Sequence, residues 1–210
     1  MKNRISEQKP MRTLEELEHH AGAPLPKGTW NLFSSVGEED SALYPHETWM
    51  IRQAQSLSDE GQHVLYIAGE QSVSDYLLEL QGTLNLDAFS IVERDVLTPA
   101  EFEGRIFGHY EKFGGFPSYV LIENLDLLED DYKTMGRSPE TFERIIDAFS
   151  FEMKEYDNLT FLIGSPYPDN YKNVKDPEAY RSFYKRYGNG AKQFCNGFRI
   201  TENEDIVPVI

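Results

Sequence analysis

Four short apolar runs constrain this chain more than any other feature: 63–68 (HVLYIA), 88–92 (AFSIV), 118–122 (SYVLI) and 159–163 (LTFLI). Each is apolar almost throughout rather than alternating, which is the pattern of a strand covered on both faces. Between them lie longer segments whose apolar residues recur at helical spacing. Met50, Ile51, Ala54 and Leu57 form one such face, and Phe142, Ile145, Ile146, Phe149 and Met153 another. Strands alternating with helices build right-handed βαβ units. The spacing therefore predicts an α/β fold, a three-layer αβα sandwich on a mainly parallel sheet.

Punctuation residues set the expected boundaries. Thr13 with Glu16 reads as a cap, opening a short helix to about His20, and APLPKG (23–28) breaks it. Residues 29–34 read as a strand, 35–41 as a polar loop and 45–59 as a helix stopped by Gly61. Ser72 is expected to cap a helix bearing Tyr76, Leu77 and Leu80. Thr98-Pro99 with Glu101, and Ser138-Pro139, mark two further helix starts, and Gly114-Gly115 one stop. Asp126 is read as a loop cap after the strand at 118–122. A helix over 177–187 and two strands near 193–200 and 206–210 complete the reading, the last pair forming an antiparallel edge. Residues 1–11 are expected to be a mobile lead-in, and 12–210 one domain with a divergent part at 165–210.

Composition narrows the function. The chain has 36 acidic against 20 basic residues among 210, a formal charge of −16. Nucleic-acid binding needs a basic footprint, so general DNA or RNA binding is not expected. The basic residues at 172–199 are interleaved with Asp169, Asp176 and Glu178 and read as a mixed solvated face. The lone Cys195 excludes an intrachain disulfide and a cysteine zinc site. His46, His63 and His109 show no ligand spacing, so no metal is expected, and no nucleophile elbow occurs. No apolar run is long enough for a bilayer, and the opening MKNRISEQKP has no apolar stretch, so a cytoplasmic location is expected.

Three segments, in order, carry a resemblance. Residues 25–33 (LPKGTWNLF), 61–72 (GQHVLYIAGEQS) and 119–128 (YVLIENLDLL) resemble the core of RecA-like ATPases, especially the RadA, KaiC and replicative-helicase branches. The similarity covers most of residues 12–165 and implies a RecA-like fold. It would make Glu70 the counterpart of the general base and place Glu123 where the family has the Walker B aspartate. The phosphate loop departs from the family's G-x-x-x-x-G-K-[ST], in which backbone N–H groups cradle phosphate and the lysine neutralises it. In the register ending on Ser41, Ser34 replaces the first glycine, Glu39 the second and Asp40 the lysine, with Gly37 and Glu38 between. Glu38, Glu39 and Asp40 put negative charge where a triphosphate would lie. Pro45 delays the following helix, which misplaces its dipole for phosphate. Ser165-Pro166 stands where relatives carry a polar sensor, a role proline cannot serve. Residues 184–188 (YKRYG) resemble the segment that reaches a neighbour's site in the family's rings. Tyr180, Tyr184, Lys185, Arg186 and Tyr187 are thus interaction candidates.

The expectation from these departures is a chain that is not an enzyme: a pseudo-ATPase with no bound cofactor, Glu70 and Glu123 being vestigial. It would act as a protein-binding adaptor or regulator whose partner is a RecA-like ATPase or a second copy of itself. Two alternatives stand beside it: an acidic inhibitor occupying a partner's nucleic-acid site, and a divergent active ATPase using Glu70 and Glu123. An AAA+ initiator-like domain is the rival fold.

Overall fold

The computed structural model describes residues 11–35, 44–69, 75, 87–94, 96–129, 138–166, 194–201, 203 and 205–208. The predicted helix behind Ser72, the helix over 177–187 and the loop residues 36–43 lie outside this set, as do residues 1–10.

Helix α1 (Leu14–Ala21) opens on Thr13, whose side chain accepts from the Glu16 N–H. Strand β1 (Trp30–Ser35) leads to α2 (Pro45–Asp59), β2 (Val64–Ala68) and β3 (Phe89–Glu93). Helix α3 (Pro99–Phe113) starts on the expected Thr98–Glu101 capping box. Strand β4 (Tyr119–Ile122), a 3-10 turn (Leu125–Leu127), α4 (Pro139–Glu155), β5 (Thr160–Pro166), β6 (Phe194–Ile200) and β7 (Ile206–Pro208) follow.

The strands form one sheet in the order β3-β2-β4-β5-β1-β6-β7. Pairings from β3 through β6 are parallel, and only β6 with β7 is antiparallel, as the sequence predicts. Alternate strand residues feed two cores. Trp30, Leu65, Val120, Ile122 and Phe161 pack with α3 and α4, where Phe102, Ile106 and Phe149 are buried. Phe33, Tyr66, Leu121 and Leu162 pack on the other face with α1 and α2, around Trp49 and Met50. Because both faces are covered, the strands read as continuous apolar runs.

Three local readings are corrected. Strand β1 includes Ser35, and β5 continues through Gly164, Ser165 and Pro166, because the two pair in register as far as Ser35 and Pro166. Gly164 is a site of close approach and not a strand stop: a Cβ there would lie 1.9 Å from the Glu123 carbonyl oxygen. The cap after β4 is Asn124, whose side chain accepts from the Asp126 N–H at 2.8 Å, so Asp126 donates to the cap and does not supply it.

Candidate functional site

In parallel sheets, ligand sites form at the carboxyl ends of the strands. Here β1, β2, β4 and β5 end together, and the amino terminus of α2 sits against them. Ser34 and Ser35 close β1, both buried. Ser34 Oγ donates to the Phe198 carbonyl at 3.2 Å, which ties β1 to β6. Ser35 points to the α2 side. Its Oγ accepts from the His46 backbone N–H at 3.1 Å and lies 2.7 Å from His46 Nδ1. A strand-end serine therefore serves as the cap that α2 lacks on Tyr44.

His46 is fully buried in this contact. Burial lowers its pKa to about 3, against a smaller upward pull from the Glu123 backbone. The ring is thus neutral: Nδ1 accepts from the Ser35 hydroxyl, and the proton stays on Nε2. The ring edge packs beside Gly164, where an added Cβ would meet His46 Cδ2 at 2.7 Å.

Glu47 completes the end of α2. Its Oε2 accepts from the Tyr44 N–H at 2.8 Å. The Glu47 and Thr48 N–H groups both donate to the Tyr44 carbonyl, at 3.0 and 3.2 Å. Pro45 has no N–H to offer. Every backbone donor in this first turn is therefore met within the chain, and a carboxylate sits at the positive end of the helix dipole.

Glu123 follows β4 and is 0% exposed. Its Oε2 accepts a short hydrogen bond from the Gly69 N–H, which ties the end of β4 to the end of β2. Its own N–H donates to the Ile67 carbonyl at 3.0 Å. Near both acids lies Tyr66, whose hydroxyl pKa is raised well above the usual value by burial, then by Glu123 and Glu47. The phenol stays neutral. The cation brought alongside by sheet register is Arg199, opposite Ser34 on β6. Phe198 stacks on Phe33 on the α2 side, so alternation puts Arg199 on the other face.

A RecA-like fold implies a nucleotide with its magnesium, and the fit can be tested at α2. A phosphate bound there needs free helix N–H groups and a cation. The described residues present donors already used by Ser35 and Tyr44, a carboxylate from Glu47 and an uncharged His46. These residues do not fit a phosphate cradle on α2. Among the described residues no group of three potential ligands is placed to hold a metal.

Of the predicted site residues, the structure brings Ser34 and Glu123 to this sheet end. Gly37, Glu38, Glu39, Asp40, Ser41 and Glu70 lie outside the described residues, as do Tyr180, Tyr184, Lys185, Arg186 and Tyr187. Sequence reasoning missed Ser35, His46 and Tyr66, which no local spacing links. Glu47 carried a signal, as the acid two places behind a helix-opening proline. A second missed contact lies near the start of β2: His63 Nδ1 is 3.3 Å from His109 Nε2, and His109 Nδ1 is 2.7 Å from Ser90 Oγ.

No family model and no curated protein matches the chain. Its fold, however, is found among solved structures. It resembles an isolated ATPase domain at 12% identity and a TM-score of 0.66, over 92% of this chain and 76% of that one. It resembles a DnaB-like replicative helicase, studied with its interactions with primase, at 11% identity and a TM-score of 0.65. That match covers 90% of this chain but 50% of the helicase chain, so this chain spans about half its length. A KaiC-like protein of Pyrococcus horikoshii OT3 is similar at 11% identity and a TM-score of 0.54, over 89% and 79% of the two chains. The expectation of a chain that is not an enzyme is corrected by these matches: its structural neighbours are a helicase and an ATPase domain, so the fold points toward ATPases and not away from them. No described helix is long and apolar enough to cross a membrane. The strand order, the parallel pairing and these neighbours together show that the chain folds as a RecA-like α/β core.

Proposed function

We propose that this chain is a cytoplasmic RecA-like module that acts by binding a protein partner, as adaptor or regulator of a RecA-like recombinase or helicase in DNA replication or recombination. One observation supports it above the others: the helix end at the heart of the sheet crevice is closed by Ser35, Tyr44 and Glu47 of the chain itself. A scaffold whose crevice is sealed at α2 offers its outer surfaces for use. RecA-like modules as a fold class host many functions, so the partner must be tested directly. The test is sedimentation velocity of the purified chain mixed with RecA-like helicases and recombinases from its own source. A complex that persists from about 100 to about 500 mM salt is expected, since screening at those concentrations removes long-range attraction but not packed contacts. Absence of any complex refutes the reading. A complex that dissolves steeply with salt instead favours the acidic inhibitor of a nucleic-acid site.

A second reading is favoured by the structural neighbours and by Glu123, buried at the end of β4. It is a divergent ATPase that holds nucleotide away from the α2 terminus, with Glu70 and Glu123 as its working acids. Steady-state ATP turnover, abolished by both Glu70→Gln and Glu123→Gln, would establish it.

A further inference from the structure

Three aromatic rings stand at the surface where a folded chain would ordinarily place polar side chains. Phe107 is 45% exposed, Tyr110 44% and Phe116 38%. They belong together. Tyr110 stacks on Phe116 with ring centroids 4.7 Å apart, and Phe107 meets Phe116 edge-on at 6.0 Å. The core side of α3 is occupied by Phe102, Ile106 and His109, so the trio is not spill-over from the interior. Its construction is local. Gly114 adopts a left-handed conformation at the end of α3, with φ of 73°, and turns the chain back. Gly115 then packs on the His63 ring, where an added Cβ would lie 3.1 Å from Cε1. Phe116 is thereby laid against the helix, and the rings are held in place before any ligand arrives. An exposed, clustered aromatic patch is the usual mark of an interaction surface.

The charge around the patch is one-sided. At about 100° per residue, Glu103, Phe107 and Tyr110 share one ridge of α3, and Glu111 lies a turn beyond Phe107. Glu103 and Glu111 are both exposed. From α4, Glu152 and Glu155 act on the Tyr156 hydroxyl, which also hydrogen-bonds Glu103. The helix's own cations, Arg105 and Lys112, fall roughly 150° away, and Lys112 Nζ is spent over the Phe113 ring at 4.7 Å. Rings flanked by carboxylates match one side chain above others. The guanidinium of arginine stacks on an aromatic face and pairs with a carboxylate in the same pose, which a lysine ammonium does less well. A phosphate backbone would be repelled, and a second copy would bring the same acids against themselves.

We infer that the Phe107, Tyr110 and Phe116 surface docks a protein segment bearing arginine. The inference stands whichever reading of the strand-end site is correct. Its test uses the full chain and two probes of equal charge and length, the peptides (Arg-Ser)4 and (Lys-Ser)4, titrated by calorimetry and by NMR. The arginine peptide is expected to bind at least about threefold tighter, in line with one exposed cation–π contact, and to shift signals of residues 103–116. Phe107→Ser with Tyr110→Ser removes that preference while both peptides still feel the acidic surface. Glu103→Gln with Glu111→Gln weakens both peptides. Should the double ring variant lose its fold by circular dichroism, Phe116→Ser, outside the helix, carries the same comparison. Equal binding of the two peptides, or an arginine preference that survives loss of the rings, overturns the inference. So does self-association of the chain that disappears in the ring variant, since the surface would then belong to a second copy.

Discussion

Replacing Ser35 by alanine removes one oxygen and breaks two functions at once. The Oγ caps α2 through the His46 N–H and serves His46 Nδ1, and both residues are fully buried. Loss of a helix cap costs about 1 kcal/mol. A buried ring nitrogen left without a partner adds about 1–3 kcal/mol. No water can enter to repair either bond unless the sheet end opens. The expected loss is about 2–4 kcal/mol, or a fall in Tm of about 5–15 °C for a chain of this size. Urea unfolding at neutral pH measures it, with Ser34→Ala as the neighbouring control. Ser34 makes a single bond to Phe198, so its removal should cost only about 1 kcal/mol. A Ser35→Ala loss below about 0.5 kcal/mol, the scale of an ordinary surface change, would show that the serine does not close the helix.

Other outcomes follow from the same geometry. Gly164→Ala drives a Cβ into the Glu123 carbonyl, where 1.9 Å is available. It should cost about 3 kcal/mol, the upper end of overpacking, and a Tm within about 2–3 °C of the parent, under about 1 kcal/mol, would contradict the placement. His46 binds a proton near pH 3 when folded and near 6.5 when unfolded. Between those values the unfolded chain holds the extra proton, so stability falls as pH drops below 6.5. The stability advantage of the parent over His46→Leu should shrink by about 3 kcal/mol between about pH 7 and about pH 4, and a pH-independent gap would refute a neutral buried ring. In the other core, Trp30 Nε1 donates to Ser150 Oγ at 2.6 Å. Trp30→Phe should therefore cost about 2 kcal/mol in urea, and a neutral result would show that the indole bond does not form.

The layering of this chain was legible because both sheet faces are covered. That burial makes β2, β4 and β5 continuous apolar runs, and Thr98-Pro99 and Ser138-Pro139 announce the helices between them. Gly164 misled because a glycine in a strand and a glycine ending one look alike until the Glu123 carbonyl is seen lying over it. The site was legible only in part. Ser34 and Glu123 follow from their places at strand ends, and Pro45 gives the late start of α2. The Ser35–His46 pair spans eleven residues, and the Tyr66, Glu47 and Glu123 group joins three elements. The His63–His109 contact spans forty-six. Such pairings are made by the crossover of strands and helices, which no local periodicity encodes.

The central claim is that the amino terminus of α2 is closed by the chain's own groups and does not seat a nucleotide's phosphates. The most direct measurement follows the backbone amides of His46 and Thr48 by 1H–15N NMR while Mg·ATP is added to the full chain. The account predicts that neither signal moves in a saturable way up to millimolar nucleotide. A saturable shift of both amides, with matching stabilisation of the fold, would place phosphate on that helix end and contradict it.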